Sequence, residues 1–259
     1  MYDTSSELLP LAVVCLTSLS VSFLSFFSGF GLGTVLLPVF AIFFPLPLSV
    51  AMTALVHLSN NVFKLWLTGR QANLHWTIRF GLPSMAGALA GAWSLRLMVD
   101  NLSNNNFTFL WHETSFLKLC LGLLISFFAV LEWFRSRPIS GHFWIPLGGL
   151  ASGFFGGLSG HQGALRSLFL QRLIERKEEF IATGVLIACL VDISRLPVYS
   201  AYLTNAEVQW DYVITASLSA MAGAWAGKKL IKKTSSDHIR MAVGLFLVIF
   251  GIALASGRI

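Results

Sequence analysis

Gly153 to Arg166 reads G-F-F-G-G-L-S-G-H-Q-G-A-L-R, in the middle of an apolar stretch running from about Phe143 to Leu173. Five glycines fall within the eleven residues from Gly153 to Gly163. Each costs a helix interior about 1 kcal/mol against alanine, so the run predicts a helix broken over 153–163. At membrane depth a broken backbone is tolerated only where it is buried in protein or lines a cavity, so the break marks a cavity. A second, weaker copy, S-G-F-G-L-G from Ser28 to Gly33, also sits between two apolar runs. Breaks paired in corresponding places of two halves point to a transporter's binding site.

The surrounding composition places that cavity in a bilayer. Of 259 residues, 55% are hydrophobic and 12% charged, with a mean hydropathy of +0.72, unlike a soluble domain. Apolar runs of roughly 18 to 22 residues recur from end to end, the length that crosses a hydrocarbon core of about 30 Å. The first, Leu8 to Phe27, follows Asp3 and Glu7 rather than basic residues and lacks a cleavage pattern, so it reads as a retained helix and not a signal peptide. Cys15, Cys120 and Cys189 lie isolated in apolar runs and read as packing residues. No metal site or cofactor is expected. The net charge of +6 resides mostly in short connections, which makes it a topology signal and not a nucleic-acid surface. Arg172, Arg176 and Lys177, with Lys228, Lys229, Lys232 and Lys233, mark the cytoplasmic side. A multi-pass protein of the cell membrane with both termini outside the cytoplasm is expected.

The fold expected is all-α, with about eight membrane helices in two repeated halves of four. The first half, residues 1–134, holds Leu8 to Phe27 with a half-helix Thr34 to Phe44 after the break at 28–33, then Ser49 to Leu67, Trp76 to Leu97 and, past a polar loop Asp100 to Thr114, Phe116 to Phe134. A linker covers 135–142. The second half, 143–259, holds the helix broken at 153–163, then Phe180 to Leu203, Tyr212 to Ile231 and Ile239 to Ser256. Repetition shows in M-A-G-A-L-A-G from Met85 against M-A-G-A-W-A-G from Met221, and in A-N-L-H-W from Ala72 against A-E-V-Q-W from Ala206. Asn61 and Lys64 then fall opposite Asp192 and Arg195. Four crossings per half imply parallel halves; re-entrant half-helices would change that symmetry.

Arg166 is the leading candidate for substrate binding. It lies three residues past Gly163, in the first turn of a half-helix whose N-terminal amides carry partial positive charge, and amides plus guanidinium make an oxyanion site. The alternative is an arginine snorkelling to an interface or held by carbonyls. Gly163, with Gly31 and Gly33 in the first break, brings backbone to the same cavity. His161 and Gln162 offer donors there, or else satisfy the loop. Lys64 and Arg195 flank the pathway, although Asp192, three residues before Arg195, makes a structural ion pair the alternative. His57, Asn60, Asn61 and Lys64 share one helical face that must point into the bundle, as interhelical hydrogen bonds or as pathway lining. His57, His161 and Asp192 are the candidate proton carriers if transport is coupled.

The two broken segments carry a family resemblance. S-G-F-G-L-G-T-V-L-L-P (Ser28 to Pro38) and S-G-H-Q-G-A-L-R-S-L-F-L (Ser159 to Leu170), backed by the two A-G-A-x-A-G segments, resemble the TauE/SafE family of sulfite and organosulfonate exporters over essentially the whole chain. Leu32 interrupts the first glycine set, and His161 and Gln162 replace glycines in the second. The resemblance implies a secondary transporter exporting small sulfur oxyanions such as sulfite. The expected partners are that anion and the lipid bilayer, with a homo-oligomer left open. "Anion" itself follows from Arg166, the half-helix dipole and Lys64.

Two other function classes share the sequence. G-L-S-G at Gly157 to Gly160 matches the G-x-S-G of rhomboid intramembrane proteases, with His57 and His161 as potential bases for Ser159. An anion channel is the other; no acidic ring or repeated filter motif supports a cation channel.

Overall fold

The computed structural model describes residues 4–28, 31–103, 105–109, 112–133, 143–205, 208–230 and 237–259. Ten α-helices follow one another among them. The first half contributes α1 (Thr4–Ser28), α2 (Leu32–Phe43), α3 (Leu46–Thr68), α4 (Leu74–Leu102) and α5 (Phe116–Trp133). The rest are α6 (Trp144–Ser159), α7 (Gly163–Leu170), α8 (Lys177–Asn205), α9 (Trp210–Leu230) and α10 (Asp237–Ala255). Among the described residues three helices are long and apolar enough to cross a membrane, α1, α3 with the turn that follows it, and α8; α2, α5 and α10 contain shorter apolar helices. The linker read at 135–142 lies outside the described residues, as do residues 29 and 30 of the first break.

Polarity is distributed as a bilayer requires. Leu16, Leu82, Leu123, Leu218 and Ile249 are more than half exposed, whereas His57, Lys64, Asp192 and Arg195 are buried. In water that arrangement would leave large apolar areas hydrated and charges desolvated; in lipid the outward side chains are in their own solvent.

The glycine run behaves differently from the sequence expectation. Instead of a break over 153–163, α6 continues through Gly153, Gly156 and Gly157 to Ser159, and the interruption is confined to residues 160–162. The reason is interhelical. A Cβ on Gly153 would fall on the carbonyl oxygen of Ser84, one on Gly157 on that of Ala88, and one on Gly87 or Gly91 of α4 on those of Leu150 or Phe154. Most of these glycines therefore serve close backbone approach of α4 and α6, which offsets their poor helix propensity. Gly153→Val is expected to overpack this crossing and destabilise the protein by about 1 to 3 kcal/mol or more, read as a lower melting temperature of the purified protein; an unchanged melt would mean that the helices can move apart freely.

The same device recurs elsewhere. Gly223 of α9 would place a Cβ on the carbonyl of Leu19 and beside the amide of Phe23 in α1, and Gly122 of α5 faces Gly251 of α10. The main helix pairings are α4 with α6, α1 with α9, α5 with α10, α3 with α8, α4 with α8 and α3 with α9. Each helix that precedes a break thus lies on the A-G-A-x-A-G helix from the other part of the chain.

Between α4 and α5 the expected polar loop contains a hairpin, β1 (Asn106–Phe109) and β2 (His112–Ser115), pairing Asn106 with Ser115 and Phe109 with His112. Alternating N-F-T-F and H-E-T-S suit a two-faced ribbon. Its inner face receives the end of the chain at Gly257, whose φ of 75° only glycine adopts easily.

Candidate anion site between the two breaks

The second break is set by a single left-handed residue. Gly160 has φ 81° and its N–H donates to Gly156 O at 2.9 Å, ending α6. Ser152 Oγ donates to Gln162 O at 2.9 Å and holds the interruption against α6. α7 then starts at Gly163, and the Arg166 N–H is the one that reaches back to Gln162 O, at 3.1 Å. The amides before Arg166 at the start of α7 have no intrahelical acceptor, and no side chain caps them. α2 starts in the same way after Gly31, without a side-chain cap.

The breaks meet. A Cβ on Gly33 would lie 3.7 Å from Gly160 O, 3.7 Å from Thr53 Cγ2 and 3.5 Å from His57 Cδ2, and one on Gly31 would lie 3.8 Å from His57 Nε2. His57, Asn60, Asn61 and Lys64 are all buried, so the polar face of α3 points inward at this junction.

Asp192 of α8 is fully buried and organises the charges. Its Oδ2 lies 2.6 Å from His57 Nδ1 and accepts from Asn61 Nδ2 at 3.4 Å. Its Oδ1 accepts from Arg195 Nε at 3.0 Å and Nη2 at 2.7 Å. A carboxylate only accepts, so Nδ1 of His57 carries the proton and Nε2, facing Gly31, is the accepting nitrogen, with Asn61 Nδ2 3.4 Å from it. Arg195 Nη1 donates to Gly156 O at 2.8 Å, and Tyr199 OH donates to Gly157 O, so α8 closes the carbonyl end of α6. Arg195 therefore has all three nitrogens engaged within the protein. Lys64 Nζ donates to Ser25 Oγ at 2.6 Å. With its amide turned to satisfy both ends, Asn60 accepts from Lys64 at 3.2 Å and donates to Ala220 O at 3.1 Å.

Arg166 is half-buried, with its guanidinium against α8, where a Cβ on Gly184 would lie 3.3 Å from Nε. Lys64 and Arg166 are close enough for their charges to repel. His161 and Gln162 are 1% and 2% exposed, and His161 Nε2, both amide atoms of Gln162 and Thr53 Oγ1 have no hydrogen-bond partner. Buried polar atoms of this kind carry a desolvation cost that a bound polar group removes. Two uncapped helix N-termini, two cations within electrostatic reach of each other and the unfilled donors of Gln162 and Thr53 are the chemistry of an oxyanion site, whereas His161 Nε2 presents only a lone pair.

Ser159 and His161 do not form a nucleophile and base pair. Ser159 Oγ lies 3.1 Å from His161 Nδ1, but that nitrogen is also 3.0 Å from the carbonyl oxygen of Ser159, which can only accept, so Nδ1 bears the proton and is no base. The ring stacks on Phe128 at 5.7 Å, and Ser159 Oγ donates to Phe155 O.

Thr53, Ser152 and Tyr199 joined the site without being singled out in the sequence. Thr53 and Tyr199 were reachable, since each extends a polar helical face by one turn, four residues from His57 and Arg195. Ser152 carries no such signal.

The model of the family "Sulfite exporter TauE/SafE" matches residues 14–254 of the chain. No curated protein and no solved structure matches it.

Proposed function

Because the chain belongs to the sulfite exporter TauE/SafE family of membrane transport proteins, we propose that it carries small sulfur oxyanions by alternating access around the junction of its two breaks. The observation that carries this reading is the approach of the two breaks, Gly33 to Gly160 O, where α2 and α7 start without side-chain caps and the buried face of α3 ending in Lys64 points inward. In this reading Arg166, Gly163 and the amides around Gly31 and Gly33 hold the charged head, while Gln162 and Thr53 complete its hydrogen bonds and His161 walls the site beside them. Asn61, Lys64 and Arg195 set the field from behind. The chain has eight crossings in two parallel halves, 1–134 and 143–259. The crossed pairing of α1 with α9 and of α6 with α4 supports that division, because each half then completes the other's glycine crossing. The test is sulfite flux into liposomes holding purified protein. Saturable flux supports a carrier, linear flux a channel, and no flux of sulfite or sulfonates removes the reading.

Transport is coupled to protons through His57, whose Nε2 faces the first break while Nδ1 is tied to Asp192. Sulfite flux is expected to change with an imposed pH gradient and to lose that dependence in His57→Gln. Flux indifferent to the gradient, in parent and variant alike, would leave uniport; His161, stacked and deprotonated at Nε2, is then no carrier either.

A further inference from the structure

At each break two helix ends of opposite sign face the same junction. The amide ends of α2 and α7 attract an anion, whereas the carbonyl ends of α1 and α6 repel one and attract a cation. In transporters built on broken helices, such carbonyl ends commonly coordinate the coupling sodium ion. Here a side-chain cation reaches the carbonyl end of α6, and another is tied into the last two turns of α1. Lys64 donates to Ser25 Oγ, which donates in turn to Ser22 O at 2.6 Å, in the last two turns of α1. Arg195 donates directly to Gly156 O, in the last turn of α6.

The two contacts are equivalent in the chain. Lys64 and Ser25 are 39 residues apart, and so are Arg195 and Gly156. Asn61 and Asp192, three residues before each cation, also match, and they approach each other at 3.4 Å. The halves differ in one respect: the arginine is neutralised by its neighbouring aspartate, while the lysine has an asparagine in that place.

We infer that Lys64 and Arg195 are matched positioning residues, tethered cations that hold the last two turns of α1 and the carbonyl end of α6 so that the junction takes an anion and no sodium ion. The consequence for anions rests on the proposed function; the hold on the helix ends does not. Arg195 touches no substrate, its nitrogens being committed to Asp192 and Gly156.

Hydrogen exchange of the full chain in nanodiscs, without substrate, tests this. Lys64→Met keeps the length and removes the charge, and exchange over residues 22–28 is expected to rise about tenfold or more, as for loss of one charge-assisted hydrogen bond, with 156–160 unchanged. Lys64→Arg restores protection. Arg195→Met with Asp192→Asn, paired so that no charge is stranded, loosens 156–160 and leaves 22–28 alone. In the parent, sodium chloride and choline chloride give the same exchange at both ends. Unaltered exchange in Lys64→Met, loosening of both ends together, recovery by methionine and arginine alike, or slowing by sodium in the parent would each overturn the inference. Since no arm uses sulfite, failure of the anion reading in liposomes leaves this result standing.

Discussion

Arg166→Ala is expected to weaken sulfite binding by about 2 to 5 kcal/mol, the range for truncating one member of a buried charge pair, or about 30-fold to a few thousandfold in Kd. The guanidinium sits in the first turn of α7, against Gly184 and close to Lys64. Two like charges in a desolvated place raise each other's energy, and an anion between them lowers both while its own hydration is being stripped. The planar fork also makes two parallel bonds to a pyramidal or tetrahedral oxyanion where an ammonium offers a point charge, so Arg166→Lys falls between parent and alanine. Binding must be measured on folded, monodisperse protein, because loss of folding lowers apparent affinity for another reason. Affinity within about a factor of two of the parent would take Arg166 out of the site and leave the helix amides with Gln162 and Thr53 as its ligands.

The largest effect on stability is expected at Asp192. Removing this carboxylate strands Arg195, which is 1% exposed, with Gly156 O as its remaining acceptor, and deprives His57 and Asn61 of their shared partner. Breaking a buried pair from one side costs about 3 to 5 kcal/mol. Because His57 is on α3 and Asp192 on α8, the loss loosens the contact between the two inner helices and, through Arg195, the end of α6. Asp192→Ala should therefore lower the melting temperature by several degrees, and Asp192→Leu with Arg195→Met should recover most of it, since an apolar pair of similar volume leaves no charge unpaired. Were the single variant to melt with the parent, the network would be incidental to the fold. Were the double variant no better than the single, the lost clasp on α6 and not the stranded charge would be the main cost.

Much of this was legible in the residues themselves. Apolar runs of membrane length, the inward face of His57, Asn60, Asn61 and Lys64, and the half-helices after Gly31 and Gln162 all follow from local periodicity and from what a glycine or proline does to its own turn. What a glycine does for a neighbouring helix has no local signature. The run from Gly153 reads as broken from propensity alone, and it stays helical because α4 lies against it more closely than any Cβ would allow. Only the position with positive φ, Gly160, was decided by its own backbone. The division of labour among the charges was likewise tertiary. Lys64, Arg166 and Arg195 are equivalent cations in a list of residues, and it is the approach of Asp192, Ser25, Gly156 and Gly184 that ties two of them to helix ends and leaves the third beside the start of α7. Charge is a property of the side chain, but what a buried charge does depends on which group satisfies it: Asp192, three residues from Arg195, was legible as a partner, whereas Ser25 and Gly156 each come from 39 residues away.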